Sequence, residues 1–168
     1  MGLGAGDWPR AIAVGMGATV VMDLWNLFLM RAFGVRSLDY CLLGRWVLHM
    51  PGGTLRHASI AAAPRKPLEC VVGRIAHYAI GLVFGVAFVA LAPSGWLERP
   101  SLAPPLIFGV ATVVFPFFLM QPALGLGIAA SKTPSPLRAR LKSLASHISF
   151  GGGLYLSALA MRDVLQTR

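Results

Sequence analysis

The sequence has few charged residues, and acidic residues are the scarcest. Of its 168 residues, 12% are charged, and only six Asp and Glu stand against 15 Lys and Arg, for a net charge of +9. Soluble domains carry about 25% charged residues. A soluble chain of this length could not bury so much apolar surface. The composition therefore excludes an ordinary soluble domain and indicates a protein whose solvent is lipid.

Cysteines and known catalytic motifs are also scarce. The two cysteines, Cys41 and Cys70, are far apart in the sequence and form no CxxC motif. This spacing argues against a disulfide framework or a thiolate zinc site. The chain has no HExxH zinc motif and no glycine-rich nucleotide loop. The sequence therefore leaves open whether the protein is an enzyme.

Long apolar runs are abundant. A transmembrane helix needs about 20 mostly apolar residues, and four stretches qualify, at residues 11–30, 71–92, 104–121 and 143–161. The third contains Pro116 and is followed by Pro122, which predicts an interrupted helix. The fold prediction is an all-α integral membrane bundle of four transmembrane helices, in a single domain spanning residues 1–168.

The connection between the first two predicted helices is too long and too apolar for a simple loop. Residues 38–50 have leucine, tryptophan and methionine at helical spacing, and Ser37 is a candidate helix cap. Residues 51–53 then break the helix with a Pro-Gly-Gly sequence. We predict an interfacial or re-entrant helical segment over residues 38–63.

The distribution of basic residues predicts the orientation of the chain. Eleven Lys and Arg lie in or beside the two loops on one side, and four lie on the other side, at Arg10, Arg99, Arg162 and Arg168. The positive-inside rule places the eleven in the cytoplasm. The prediction is a multi-pass protein of the bacterial inner membrane with both termini in the periplasm and Trp8 and Trp96 at the outer interface. This distribution beside apolar runs favours a lipid bilayer, rather than a nucleic acid, as the partner.

Polar groups recur at one depth of the predicted bundle, near the cytoplasmic face. Such groups are costly within a membrane, so each is a functional candidate. They are Asp23 and Asn26 in the first helix, His77 in the second, Gln121 in the third and His147 in the fourth, with the loop histidines His49 and His57 on the same side. We expect His77 and His147 to approach within side-chain reach of Asp23.

Imidazole and carboxylate groups together bind transition metals. The candidate metal ligands are therefore Asp23, His77, His147, His57 and His49, with Asn26 and Gln121 as further members of the polar layer. A haem ligated axially by two histidines is a less favoured alternative. Two further alternatives for this polar layer are a proton relay and a hydrogen-bond network that only joins the helices.

Small residues recur at helix-packing spacing, as in Gly81-xxx-Gly85. Glycines allow two helix backbones to approach closely in lipid. We expect Gly81 and Gly85 to face another helix of the same chain, with a homo-oligomer or a partner in a membrane complex as the alternative.

Four long segments carry a family resemblance: GMGATVVMDLW at 15–25, GRWVLHMPGG at 44–53, PFFLMQPALGLGIAASKTP at 116–134 and SLASHISFGGGLYL at 143–156. They are similar to a bacterial family of small membrane proteins catalogued as domain of unknown function 2938. The resemblance implies a bacterial multi-pass membrane protein and brings no activity or catalytic residue with it.

The preferred functional prediction is an inner-membrane protein with a polar, metal-binding site near its cytoplasmic face. A small transporter or proton-handling protein, with the interrupted third helix as a gate, is one alternative. A structural subunit of a membrane complex is another.

The charge asymmetry gives a direct test of topology. Reporter fusions at the C-terminus should report the periplasm, and fusions near Arg65 or Arg138 should report the cytoplasm, because the basic loops resist translocation. A C-terminal fusion that reports the cytoplasm would contradict this orientation.

Overall fold

The computed structural model describes Gly4 and residues 6–166, without the side chains of residues 163–166. Over this part of the chain the backbone forms helices and turns and no strand. The helices are α1 (Asp7–Phe33), α2 (Tyr40–His49), α3 (Glu69–Leu91), α4 (Ala103–Thr112), α5 (Gln121–Ala123) and α6 (Pro136–Gln166). Arg168, one of the four basic residues assigned to the periplasmic side, lies outside the described residues.

Four helical stretches are long and apolar enough to cross a membrane, as predicted: Asp7–Phe33, Glu69–Leu91, Ala103–Ala123 and Pro136–Arg162. Between 17% and 33% of the most apolar window of each is buried inside the protein. Most of their apolar side chains therefore face outward. Exposed apolar surface on this scale marks contact with lipid or with another protein.

The third of these stretches is interrupted, as the proline positions predict. The α-helical backbone of α4 ends at Thr112, residues Pro116–Met120 form a π-helical segment, and α5 adds a last turn. Proline has no N–H to donate and crowds the preceding turn, so a wider local helix at Pro116 is a common result. Gly125 and Gly127 follow with φ of 87° and 76°, backbone angles that favour glycine, and they turn the chain sharply.

The segment predicted over residues 38–63 is partly helical. It contains α2 and two 3₁₀ turns, Met50–Gly52 and Ile60–Ala62. The expectation that Ser37 caps the helix is wrong, because α2 begins later: the Asp39 carboxylate accepts the backbone N–H of Cys41 at 2.9 Å and is the cap.

The chain divides into two compact units. The first comprises Met1–Val35, Tyr78–Ala111 and Ser146–Arg168, and the second comprises Arg36–His77 and Thr112–Ala145. α3 and α6 contribute residues to both units.

Helix crossings at glycine organise the first unit. A Cβ atom at Gly15 would lie 2.8 Å from the Gly81 carbonyl oxygen and 3.0 Å from the Gly85 Cα, and a Cβ at Gly85 would collide with the Gly15 backbone. The α1 and α3 backbones are therefore in direct contact, which confirms that Gly81 and Gly85 face another helix. Beside this crossing lies a core of Val14, Ala18, Phe88, Trp96, Leu97, Phe150, Leu154 and Ala158.

The connection between α3 and α4 closes one end of the first unit. Trp96 is 4% exposed, packs edge-on to Phe88 at 4.7 Å and donates its indole N–H to the Ser101 carbonyl at 3.0 Å. It is thus a core side chain of the first unit, and its position at the depth of the outer interface stays a prediction. Arg10 donates to the Glu98 carboxylate at 2.7 Å, and this hydrogen bond lowers the pKa of the Glu98 carboxyl.

The glycine crossing predicts unequal effects of two matched substitutions. Gly85→Ala should lower the stability of the folded protein by about 1–3 kcal/mol, because the new methyl group meets the Gly15 backbone. Gly152→Ala in α6 is the control, since no described atom beyond its chain neighbours and the nearby backbone of its own helix lies within 4 Å of the added Cβ. Thermal unfolding in detergent measures both. Equal stability of the two variants would show that the α1–α3 crossing tolerates a side chain.

Candidate functional site

A buried ion pair joins α2 to the first turn of α3 in the second unit. Arg45 is 5% exposed, and its Nε and Nη2 donate to the two Glu69 carboxylate oxygens at 2.8 and 2.7 Å. Its Nη1 donates to three backbone carbonyls of the adjoining turn, at 3.1–3.2 Å: those of Ile60, Ala61 and Ala63. Every nitrogen of the guanidinium is thus paired, which is the condition for burying such a group.

Glu69 is held from a second side. Its carboxylate also accepts the backbone N–H of Lys66 at 3.0 Å, three residues before it. The hydrogen bonds that Arg45 donates to Glu69 raise the pKa of Arg45, so the guanidinium stays charged. The sequence analysis missed this pair. A signal was available, because Glu69 is the one acidic residue between Asp39 and Glu98 in a markedly basic region.

Further pairs extend the contact between α2 and α3. The Tyr40 hydroxyl lies 3.0 Å from His77 Nε2, and the two rings stack with centroids 4.3 Å apart. Gly44 and Gly73 let the two backbones meet, since a Cβ at either would collide with the other helix. We call this contact, from Tyr40–His77 to Arg45–Glu69, the α2–α3 seam.

Cys41 and Cys70 form a disulfide within the same seam. The expectation from the sequence that no disulfide forms is therefore wrong. The reason is geometric: the cysteines are 29 residues apart, and only the return of α2 onto the first turn of α3 brings them together. Their spacing contains no local signal of that return.

Two histidines, the last residue of α2 and one in the loop that follows, lie side by side in the second unit. The rings of His49 and His57 are nearly perpendicular, at 87°, with centroids 5.1 Å apart. His49 Nε2 lies 3.0 Å from the Pro64 carbonyl. Both ring nitrogens of His57 are buried, and neither has a hydrogen-bond partner among the described residues. We call these two residues the His57 site.

The interrupted third helical stretch supports the His57 site. The backbone N–H groups of His57 and Ile60 donate to the carbonyls of Ala123 and Leu124, at 2.8 and 3.1 Å. Gln121, two residues before Ala123, is 6% exposed and donates to Ser143 at 3.3 Å. Its amide oxygen is buried with no partner in the described part of the chain. The two backbone hydrogen bonds hold the loop that contains His57 and Ile60 against the end of α5.

Two other predicted polar residues lie in the first unit, and each pairs across two helices. Tyr78 of α3 donates its hydroxyl to Asp23 of α1 at 3.1 Å. Ser146 of α6 donates to the Asn26 amide oxygen of α1 at 2.7 Å. Hydrogen bonds of this kind join transmembrane helices, so these polar groups have a structural use.

Comparison with known proteins bears on nearly the whole chain. The family model described as "Protein of unknown function (DUF2938)" matches residues 12–161. The chain belongs to this family. No curated protein matches it, and no solved structure matches it either. The family description assigns no activity, so roles for residues of this DUF2938 protein must come from the geometry.

The five candidate metal ligands are differently placed. His49 and His57 lie together, whereas Asp23 and His77 are hydrogen-bonded to the tyrosines Tyr78 and Tyr40. His147 lies in α6, where its backbone carbonyl faces Gly109 of α4. Among the described side chains, no three His, Cys, Asp or Glu residues form a group that could hold a metal ion. The five-residue metal set, including the approach of His77 and His147 to Asp23, stays a prediction.

Proposed function

We propose that this DUF2938 protein is a multi-pass protein of the bacterial inner membrane that binds a cation at a polar site near its cytoplasmic face. The four long apolar helical stretches support insertion in a bilayer. Both termini lie in the periplasm in this proposal, and the partly helical segment over residues 38–63 lies at the cytoplasmic interface.

The charge of the second unit supports its cytoplasmic placement. That unit holds ten of the 15 Lys and Arg residues but two of the six Asp and Glu residues, which gives it +8 of the net charge of +9. A strongly basic set of loops is retained on the cytoplasmic side during insertion. The His57 site belongs to this unit and shares its location.

The observation that carries the proposal is the His57 ring. A buried polar atom normally has a hydrogen-bond partner, and leaving it without one costs about 1–3 kcal/mol. Within the described part of the chain, His57 has two such atoms, beside a second imidazole, and the Gln121 amide oxygen in the paired segment is a third. A neutral imidazole nitrogen is a strong ligand for Zn²⁺, Cu²⁺ and Ni²⁺.

Two imidazoles leave the remaining coordination positions of such an ion to water or to an exogenous group, as at metal sites that keep an open position. The bound cation would give one of the two His57 ring nitrogens a partner that the described part of the protein does not supply. We therefore propose a transition-metal ion as the ligand of the His57 site.

A second candidate function is proton or cation passage. The π-helical segment Pro116–Met120 favours it, because irregular helix at membrane depth is tolerated where it lines protein or a watery cavity. In this account His57 and Gln121 contact water along the path, and the ion is transient.

Metal analysis of the purified protein tests the first function. The full-length protein in detergent, equilibrated with Zn²⁺ and freed of excess metal, should retain the ion, and His57→Ala should lose most of it. His77→Gln separates this site from the five-residue set: the His77 ring is paired with Tyr40, so a site at His57 and His49 predicts the wild-type amount of metal, whereas the five-residue set predicts a loss.

Equal retention by the wild type and His57→Ala would contradict a metal at this site. The second function is correct if neither the wild type nor His57→Ala binds metal, and if vesicles containing the wild type take up protons whereas vesicles containing His57→Ala do not.

A further inference from the structure

The α2–α3 seam contains a disulfide, although the charge of the surrounding unit predicts a location in the cytoplasm, where disulfides are uncommon. Cys41 and Cys70 are disulfide-bonded in the second unit, which carries +8 of the net charge. The positive-inside rule places that charge in the cytoplasm. Disulfides are rare there because cellular thiols keep cysteines reduced, and those that do form are mostly transient, with catalytic or redox-sensing roles.

The position of the cysteines makes thiol exchange feasible. Cys70 is exposed and Cys41 is half-buried. Cys70 is the second residue of α3, and the preceding residues 64–68 are all exposed. A disulfide sulfur must be reached by an attacking thiolate for exchange to occur, and Cys70 offers that access.

The rest of the seam does not depend on the disulfide. Two other pairs, Arg45–Glu69 and Tyr40–His77, join the same two helices without a covalent bond. α2 can therefore remain docked on α3 when the cysteines are reduced. Both redox states are then compatible with a folded chain, which a redox couple requires.

We propose that Cys41 and Cys70 form a reversible dithiol–disulfide couple on the cytoplasmic face, which locks α2 onto α3 when oxidised. Oxidation removes two electrons and two protons from the thiols and forms the S–S bond, and an electrophilic oxidant such as a peroxide accepts the electrons and yields water. Reduction uses a cellular dithiol as the two-electron donor: its first thiolate attacks the Cys70 sulfur and releases Cys41, which takes up a proton, and its second thiol then attacks the mixed disulfide, releases the Cys70 thiol and closes the reductant's own disulfide.

This inference rests on the cytoplasmic placement proposed above, which fusion reporters measure separately. It does not depend on metal binding at the His57 site, because no step uses either histidine. Failure of metal binding at the His57 site therefore leaves the couple standing, whereas fusion reporters that place the second unit in the periplasm would contradict it.

Thiol trapping in intact cells tests the couple. Growing cells that express the full chain are quenched in acid, and the denatured protein is labelled with a maleimide-linked polyethylene glycol, which adds one gel shift per thiol. We expect two shifts in growing cells, none after brief exposure to the thiol oxidant diamide, and two again after the diamide is removed.

Cys41→Ser and Cys70→Ser serve as controls and should each show one shift in growing cells. A double Cys→Ser variant that elutes from size exclusion like the wild type establishes that folding does not require the bond. Absence of any shift in growing cells would identify a permanent structural disulfide and overturn the proposal. Two shifts that persist after diamide treatment would also overturn it, because the thiols would then not form a couple.

Discussion

The buried guanidinium of Arg45 sets the condition that the second unit has to meet. Because only 5% of the residue is exposed, water cannot satisfy its donors, and the chain must supply acceptors for all three guanidinium nitrogens. Glu69 supplies two of them and the turn at residues 60–63 the others. Meeting this condition docks α2 on the start of α3 and folds the loop between them back onto both. The disulfide, the Tyr40–His77 stack and the approach of His57 to Ala123 all follow from that loop path.

The two units share helices but are stabilised by different interactions. In the first, small residues allow close backbone contact, as between Gly15 and Gly85, and hydrogen bonds such as Tyr78–Asp23 connect the helices within an apolar core. In the second, charged and main-chain groups hold irregular backbone, as at Arg45 and at Ala123. Irregular backbone needs such partners because its N–H and C=O groups are not paired within a helix. The unit rich in irregular backbone also holds the His57 imidazole, which has no hydrogen-bond partner among the described residues, so the candidate site and the unusual structure coincide.

Features encoded by nearby residues could be predicted from the sequence. Hydropathy over about 20 residues identified the four long helical stretches, Pro116 indicated the interruption, and the spacing of Gly81 and Gly85 indicated a helix crossing. Helix ends were less accurate: α1 runs from Asp7 to Phe33 rather than over 11–30, because backbone hydrogen bonds continue beyond the apolar stretch. Polar partners were harder to predict. The sequence marks Glu69 as an isolated acidic residue but does not name its partner, and Arg45–Glu69, Asp23–Tyr78 and Asn26–Ser146 are 24, 55 and 120 residues apart. Their pairing depends on how the helices are rotated, which hydropathy does not report.

The central claim, that the Arg45–Glu69 pair holds the second unit together, can be measured with a double-mutant cycle. Arg45→Met removes the charge but keeps much of the side-chain length, and Glu69→Gln removes the opposite charge. Thermal unfolding of the two single variants and the double variant in detergent gives the coupling between them. Each single variant should be clearly less stable than the wild type, because it leaves one buried charge without its partner. The account predicts that the double variant loses much less stability than the sum of the two single losses, and strictly additive losses would contradict it.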